Sequence, residues 1–370
     1  MWEALLSKPF QLSPTWGTVA PPAIAIFLIL AANFHLVGED SMLFVLPACI
    51  LLIASVFSSV HFAEIISLRV GQPYGSIVLA MAVTVIEASL IISMMMSPSE
   101  GDPTIARDTV FATVMMVLNG IIGLCLLSGG LRHREQSFQS QGAVAAFSVL
   151  GTLATLTLIL PNFTLAVAGP FYSTVQLGFV TVVSLVLYGL FLFVQTVRHR
   201  RDFIDLSFEC EAEEHSVPSN AQAGVAALFL VLALTMVVLL AEALAPAIER
   251  GVIGLGLAEA FVGLIIAAVV LLPEGMTAFR AASANRLQTS LNIAAGSALA
   301  SVGLSIPTVA IASLFLDQSI TLGLEPEHTV LLVLSFFVGT LTLATGRTTI
   351  MQGAVHLVVF ACFVLLAAAP

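Results

Sequence analysis

Long apolar runs alternate with short polar segments along almost the whole chain. A membrane-spanning α-helix needs about 20 predominantly apolar residues, and eleven runs reach or approach that length. The pattern therefore predicts an all-α polytopic membrane protein with about eleven transmembrane helices. The predicted helices are residues 18–36, 42–68, 75–97, 106–131, 142–160, 174–197, 222–245, 257–279, 288–316, 328–346 and 348–369.

Positively charged residues fall mainly on one side of these predicted helices. When the N-terminus is placed inside, only Arg107 and Arg250 lie on the outer side. Cytoplasmic loops of membrane proteins carry an excess of Lys and Arg, so this bias predicts a cytoplasmic N-terminus and an external C-terminus. The residues on the inner side are Lys8, Arg69, Arg132, Arg134, Arg198, Arg200, Arg201, Arg280, Arg286 and Arg347.

The composition supports the same class. The 370-residue chain is 59% hydrophobic and 9% charged, with a mean hydropathy of +1.07, whereas soluble domains carry about 25% charged residues. The lipid bilayer is the expected partner, and nucleic acid is not expected. The net charge of −10 does not itself indicate a partner, because most of the charges lie in loops. The four cysteines are scattered and form no CxxC motif, which favours a role as small apolar residues.

A repeated order of acidic residues divides the chain into two halves. Glu64 precedes Glu87 in the first half, and Glu242 precedes Glu274 in the second. Because five predicted helices per half is an odd number, the halves are inverted relative to each other, as in many secondary transporters. The predicted organisation is an N-terminal lead and first helix (1–41), a first five-helix repeat (42–197), an acidic cytosolic linker (198–221) and a second five-helix repeat (222–370).

Glu87 and Glu274 are the principal site candidates. Each lies within or at the end of an apolar run, where an ionisable group costs a few kcal/mol and is a functional hypothesis by default. Pro273 and Gly275 flank Glu274, so we expect the helix to break at the acid and to free backbone carbonyls. If the two acids converge near the middle of the membrane, they can hold either one divalent cation or two protons.

Neutral oxygens could complete such a site, because calcium takes six to eight oxygen ligands. Ser and Thr side chains in membrane helices commonly bond their own backbone at i−4, and for that reason Thr113, Ser290 and Thr345 are left out. The predicted ion- and proton-binding residues are Glu87, Glu274, Asn119, Ser297, Ser301 and Thr84, with Glu87 and Glu274 as the metal ligands.

Four further titratable residues form a candidate proton relay: His61, Glu64, Glu242 and Glu259. His61 and Glu64 are three residues apart and therefore share a helix face. The three acids lie near predicted helix ends, where a charged group reaches the interface more easily. A purely structural role is the alternative for each of them.

The linker contains six acids within thirteen residues. Such a cluster would attract divalent cations, which suggests regulation by calcium, but it lacks the spacing of an EF-hand loop. A solvated charge run is the alternative. The acids are Asp202, Asp205, Glu209, Glu211, Glu213 and Glu214.

Several motifs resemble those of one transporter superfamily. They are Gly71-Gln72-Pro73-Tyr74-Gly75, Gly129-Gly130-Leu131-Arg132-His133-Arg134-Glu135-Gln136, Ala258-Glu259-Ala260-Phe261-Val262-Gly263, Leu272-Pro273-Glu274-Gly275 and Gly296-Ser297-Ala298. Together with the paired acids and the acidic linker, they resemble the calcium/cation antiporter superfamily and, within it, the bacterial ChaA-type calcium/proton or sodium-potassium/proton antiporters. The resemblance implies a bacterial inner-membrane protein that exchanges a cation for protons, with calcium as the first candidate.

Other functions stay open or are disfavoured. The first motif of this superfamily is Gly-Asn-Ala-x-Glu, whereas this chain has Val83-Thr84-Val85-Ile86-Glu87, so a sodium or potassium/proton antiporter is the alternative. An ion channel would need a continuous polar lining, whereas the polar residues here cluster at one depth. The sequence has no HExxH, GxSxG or nucleotide-binding loop, so neither an enzyme nor a primary pump is expected. No cofactor is expected, and a homo-oligomer is left open.

Overall fold

The computed structural model describes residues 16–34, 38, 41–70, 74–95, 104–203, 218–258, 260–316 and 320–369. Within these ranges eleven helices account for most of the structure, which confirms the prediction of an all-α polytopic membrane protein. They are α1 (Trp16–Asn33), α2 (Met42–Val70), α3 (Tyr74–Met95), α4 (Ile105–His133), α5 (Ser140–Phe163), α6 (Thr174–Arg198), α7 (Asn220–Gly254), α8 (Ala260–Ser283), α9 (Leu287–Leu316), α10 (Pro326–Ala344) and α11 (Ile350–Ala368).

Most of these helices are long and apolar enough to cross a bilayer. Nine of the helices in the described ranges meet both conditions, and α1 and α3 contain shorter apolar stretches, Trp16–Ala32 and Met81–Ser93. Large apolar side chains also point outward, such as Val175 and Phe179 on α6, which are 83% and 68% exposed. Because lipid tails are as apolar as these side chains, a helix surrounded by lipid gains nothing by hiding them.

The structure corrects the predicted end of one helix and a predicted break within another. α7 continues to Gly254, nine residues beyond its predicted end at residue 245, because charged residues such as Glu249 end an apolar run without ending a helix. The prediction that the chain breaks at Pro273 was wrong, since α8 is continuous from Ala260 to Ser283. A proline removes only one backbone donor, and such losses are tolerated in membrane helices when neighbouring groups compensate.

The described residues form two compact units. One contains residues within Met1–Ala82 and His215–Leu244, and its core includes Phe62, whose ring stacks on Phe229 at a centroid distance of 5.4 Å. The other contains residues within Val83–Glu214 and Ala245–Pro370. These units are defined by packing and not by sequence repetition, so the predicted halves and linker stay a prediction.

Two helices lie at the centre of the second unit. In α4 and α9, 78% and 61% of the most apolar stretch is buried, the largest shares among the described spans. Each contains a π-helical segment, Met116–Ile121 in α4 and Ser301–Ser305 in α9. In a π-helix the hydrogen bonds run from i to i+5, and such segments occur frequently at functional sites.

A short antiparallel ladder closes one end of the same unit. Strands β1 (Gln136–Ser137) and β2 (Arg347–Thr348) follow α4 and α10, and they pair Gln136 with Thr348 and Ser137 with Arg347. Gln136 is buried and donates to the carbonyl oxygen of Ala282 at the end of α8. The ladder therefore ties the ends of α4, α8 and α10 together.

Candidate cation-binding site

Glu87 is a buried carboxylate surrounded by hydroxyl groups. It lies on α3 and is 6% exposed. Its Oε1 accepts hydrogen bonds from Thr113 on α4 at 3.2 Å and from Ser301 on α9 at 2.5 Å. Its Oε2 accepts one from Ser305 on α9 at 2.8 Å. Three hydroxyls from the two most buried helices therefore converge on this carboxylate.

Glu274 is the second buried carboxylate, on α8, and it is 9% exposed. It accepts a hydrogen bond from Ser297 on α9. Glu87 binds Ser301 of the same helix, only four residues or about 6 Å from Ser297, so the two carboxyls lie close enough for like-charge repulsion. α8 also packs against α4 and α9, which supply the hydroxyl donors. Both acids therefore belong to one polar site in the second compact unit.

Three serines on α9 connect the two acids. Ser297 binds Glu274, whereas Ser301 and Ser305 bind Glu87. Four residues rise about 6 Å along an α-helix and rotate by about 40° beyond a full turn. The wider π-turn at Ser301–Ser305 rotates less per residue, which limits this drift and keeps the three serines on one face. We refer to Ser297, Ser301 and Ser305 as the serine ladder.

The oxygen atoms of this site match the needs of a hard cation. The two carboxylates bring four oxygens, and the three ladder hydroxyls with Thr113 bring four more, which gives eight. Calcium takes six to eight oxygens, and sodium is also a hard cation that suits oxygen ligands. Among the described residues no group of three or more His, Cys, Asp or Glu could hold a metal. Any bound cation would thus depend on neutral hydroxyls in addition to the acid pair.

The structure brings together most of the residues predicted for the site and adds two. Thr84 is buried one helical turn before Glu87 on α3, 6% exposed. Ser305 was not among the predicted residues, although it follows Ser301 by four positions, a spacing that places both on one helix face. Thr113 was wrongly left out, because its hydroxyl donates to a carboxylate from another helix instead of its own backbone.

Asn119 lies in a different polar cluster. Its Nδ2 donates to Ser335 on α10 at 2.8 Å, and its Oδ1 is 3.1 Å from Nδ1 of His356 on α11. None of the hydrogen bonds described for Asn119 reaches Glu87 or Glu274. Its role as an ion ligand stays a prediction without a supporting contact.

None of the described contacts joins the predicted relay residues to Glu87 or Glu274. His61 and Glu64 on α2 and Glu242 on α7 belong to the first compact unit, and both of these acids are exposed. Glu259 lies outside the described residues. The relay therefore stays a prediction.

The linker is described at its two ends, residues 198–203 and 218–221. At the first end, Asp202 closes a short 3₁₀ helix (Arg200–Asp202), and its Oδ2 lies 3.5 Å from Nδ1 of His199. The backbone oxygen of Phe203 accepts a hydrogen bond from Asn292 on α9. The other predicted regulatory residues, Asp205, Glu209, Glu211, Glu213 and Glu214, lie outside the described residues.

The protein thus falls into the class of multi-pass membrane proteins that carry an ionisable site inside a helical bundle. Its helices are long enough to span a membrane, and they surround a buried pair of carboxyls. The comparison with known families makes the class specific. The chain belongs to the sodium/calcium exchanger protein family, which matches residues 41–197 and 225–369. Its predicted place in the calcium/cation antiporter superfamily is thereby confirmed, and its members are transporters rather than enzymes. The two matched segments have nearly the bounds of the predicted repeats.

Individual relatives point the same way. A Sinorhizobium fredii protein named as an ionic transporter, y4hA, is 51% identical over 358 residues, which cover 96% of this chain and 97% of the relative. The sodium-potassium/proton antiporter ChaA of Escherichia coli is 31% identical over 324 residues, 86% of this chain and 87% of the relative. The solved structure of the Ca2+/H+ antiporter protein YfkE has the same fold, with a TM-score of 0.69 at 20% identity over 95% of this chain and 99% of that one.

Proposed function

We propose that this protein is a secondary antiporter that exports calcium in exchange for protons, by alternating access of the Glu87 and Glu274 site to the two sides of the membrane. The observation that carries the proposal is the pairing of two buried carboxyls with four hydroxyl donors. We place the protein in the bacterial inner membrane, with a cytoplasmic N-terminus and an external C-terminus. The proposed exchange needs no cofactor.

The energetics of burial explain why such a site exchanges ions. Two ionised carboxylates in a low-dielectric interior repel each other and lose their hydration, so the empty doubly charged site is unfavourable. One divalent cation or two protons neutralise it equally well. A site that must be filled by one or the other before it crosses the bilayer couples the two fluxes.

The hydroxyls suit both occupants of the site. A serine or threonine hydroxyl has one donor and two acceptor lone pairs. In the described structure the four hydroxyls donate to the carboxylates. By turning about its C–O bond, each can instead present a lone pair to a cation. The same side chains therefore serve the cation-bound and the cation-free site without a change in backbone.

Sodium or potassium in exchange for protons is the second candidate. The observation that favours it is that, among the described residues, no Asn or Gln side chain hydrogen-bonds to either acid. The site therefore offers a cation only carboxylate and hydroxyl oxygens. The name of the Escherichia coli relative supports the same alternative. A monovalent cation would leave one carboxyl to carry a proton at the same time, so the two candidates differ in charge balance.

Flux measurements in inside-out vesicles separate these candidates. After a pH jump, calcium, sodium and potassium are offered one at a time, and proton movement is followed with a pH-sensitive dye. The proposal expects the strongest proton signal with calcium. A signal with sodium or potassium alone would establish the second candidate, and the lack of a signal with all three ions would contradict both.

Two matched variants show whether the signal comes from this site. Glu87→Gln removes one of the buried carboxylates, whereas Glu327→Gln alters an exposed acid at the start of α10. We expect the first variant to abolish the proton signal and the second to leave it unchanged. Equal loss in both variants would indicate a general defect and not a role of the site.

The predicted relay and linker are proposals of a different kind. His61, Glu64, Glu242 and Glu259 would carry protons between the site and the water phases. The linker acids would bind calcium weakly on the cytoplasmic side and adjust its export. Replacing the six acids by amides should then shift the calcium dependence of flux without changing its maximum, and an unchanged curve at low salt would contradict regulation.

A further inference from the structure

A chain of buried polar groups lies beside the cation site but is not part of it. It consists of Asn119 on α4, Ser335 and Thr342 on α10 and His356 on α11, which are between 0% and 4% exposed. None of the described hydrogen bonds of these residues reaches Glu87 or Glu274. Buried polar groups are costly in a membrane unless they are satisfied, so this chain calls for an explanation.

The partners fix the direction of every hydrogen bond in the chain. Ser335 donates to the backbone oxygen of Leu331 at 2.7 Å, so its oxygen can accept from Nδ2 of Asn119 at 2.8 Å. This leaves Oδ1 of Asn119 facing His356, and an amide oxygen only accepts. Nδ1 of His356 therefore carries a proton, and its Nε2, 3.2 Å from Thr342, accepts the threonine hydroxyl.

With a neutral His356 imidazole, these side chains therefore form one continuous series of hydrogen bonds. Each donor meets an acceptor, and the last donor ends on a backbone carbonyl of α10. A fully satisfied polar network in a low-dielectric interior fixes one arrangement of the elements that contribute to it. Here those elements are α10, α11 and the π-helical segment of α4 that contains Asn119.

Close packing reinforces the same arrangement. A methyl group at Gly123 on α4 would lie 3.1 Å from Cβ of His356, and one at Gly353 on α11 would collide with the backbone nitrogen of Leu127. α11 therefore lies directly against the part of α4 that follows the π-helical segment. The second half of α4 is held by α11, whereas Thr113, in the first half, contacts Glu87.

The π-helical segment sets the rotation of one half of α4 relative to the other. An α-helix advances about 100° per residue, and a π-turn accommodates one extra residue, so relaxation of Met116–Ile121 to α-helix would rotate the first half by about 100°. Such a rotation would turn Thr113 away from Glu87. Since π-turns are rare and hydrogen bonds in a regular α-helix are the default, the segment needs external support.

We propose that His356, through Asn119, holds this π-helical segment and thereby positions Thr113 against Glu87. His356 is then a positioning residue for the cation site and not a ligand or a proton carrier. The inference rests on the proposed function, because it takes Glu87 to be a cation ligand. This positioning role would also explain what α10 and α11 contribute, because their described residues donate no hydrogen bond to either acid.

A double-mutant cycle between residues 113 and 356 tests the proposal. Thr113→Val removes the hydroxyl and keeps the shape. Because this bond, at 3.2 Å, is the longest of the three to Glu87, its loss in the wild-type background should weaken the apparent cation affinity by only roughly three- to tenfold. His356→Leu should weaken it at least as much. In the His356→Leu background, Thr113→Val should then add less than about twofold, because the hydroxyl no longer faces Glu87.

The outcomes separate positioning from mere structural damage. Two full, independent losses of affinity would overturn the proposal, and so would a wild-type affinity in His356→Leu. If His356→Leu does not fold, Thr342→Val is used in its place. It removes only the hydroxyl that bonds Nε2 of His356, and the same cycle is measured with it. Thr157→Val is the matched control, since the Thr157 hydroxyl is fully buried but bonds the backbone of its own helix at 2.8 Å.

Glu87→Gln distinguishes failure of this inference from failure of the proposed function. If Glu87→Gln transports normally, the acids are not the cation site and the proposed function fails. If Glu87→Gln is inactive and the cycle between residues 113 and 356 is additive, only the positioning role of His356 fails.

Discussion

Removing one hydroxyl from the serine ladder should weaken cation binding and shift the pH at which transport begins. Ser301 is the informative position, because its hydroxyl lies 2.5 Å from Oε1 of Glu87 and the residue is 2% exposed. Ser301→Ala removes this donor and adds no other hydrogen-bonding group. The carboxylate would keep only the hydrogen bonds from Thr113 and Ser305.

The size of the effect follows from the strength of such contacts. A hydrogen bond to a charged group contributes about 1.5–3 kcal/mol, which corresponds to roughly 10- to 150-fold in an equilibrium constant. Loss of the donor makes the ionised carboxylate less stable relative to its protonated form, so protons compete better with the cation. Since about 1.4 kcal/mol corresponds to one pH unit, the pH of half-maximal flux should rise by about one to two units.

Calcium-dependent proton flux in proteoliposomes, measured over a range of pH and calcium concentration, gives both quantities. Ser313→Ala is the matched control, because Ser313 lies on the same helix and is also 2% exposed, but its hydroxyl bonds the backbone oxygen of Ala310. A folded Ser301→Ala protein with the affinity and pH profile of the wild type would refute the role assigned to the serine ladder.

Two further predictions concern coupling and packing. If one calcium exchanges for two protons, transport is electroneutral, and a membrane potential set with valinomycin and potassium should not change its rate. This test requires that potassium is first shown not to be a substrate. A strong voltage response would instead fit three protons per calcium, where the one net charge moved gains about 2.3 kcal/mol per 100 mV. Gly353→Ala places a methyl group against the backbone of Leu127 and should destabilise the protein by about 1–3 kcal/mol. Gly189→Ala on α6 meets nothing within 4 Å and should not lower the unfolding temperature in detergent; equal effects of the two glycine variants would contradict the described contact of α4 and α11.

The helices and the acid pair could be predicted from the sequence alone, because both follow from the free-energy cost of placing polar groups in lipid. A span needs about 20 apolar residues, and a buried carboxyl is too costly to be incidental. Glu87 and Glu274 were therefore visible without any structure. The family resemblance was also visible in the sequence, because its motifs are short and local, such as Leu272-Pro273-Glu274-Gly275 and Gly296-Ser297-Ala298.

The hydroxyl ligands were only partly predictable. A Ser or Thr in a membrane helix usually bonds its own backbone, as Thr157 and Ser313 do. Nothing local distinguishes these residues from Thr113, which faces another helix. Ser305 could have been found from the spacing of four within the serine ladder, but its direction also depends on the π-helical segment, which a single sequence does not show.

Asn119 and Pro273 show how the surroundings override a local rule. A polar amide within a span suggested an ion ligand, yet its partners are supplied by α10 and α11, which are more than 200 residues away in sequence. A proline beside an acid suggested a broken helix, yet α8 is continuous through Pro273 and packs against α4 and α9. A proline removes only one backbone donor, which membrane helices tolerate. Composition and spacing alone do not encode either outcome.

The central claim is that Glu87 and Glu274 alternately hold one divalent cation or two protons. The most direct test is to measure calcium uptake and proton release together in proteoliposomes containing the wild-type protein, Glu87→Gln or Glu274→Gln. We predict about two protons released for each calcium by the wild type, because two carboxyls are shared, and no coupled flux in either folded variant. Normal coupled flux in either variant would contradict the claim.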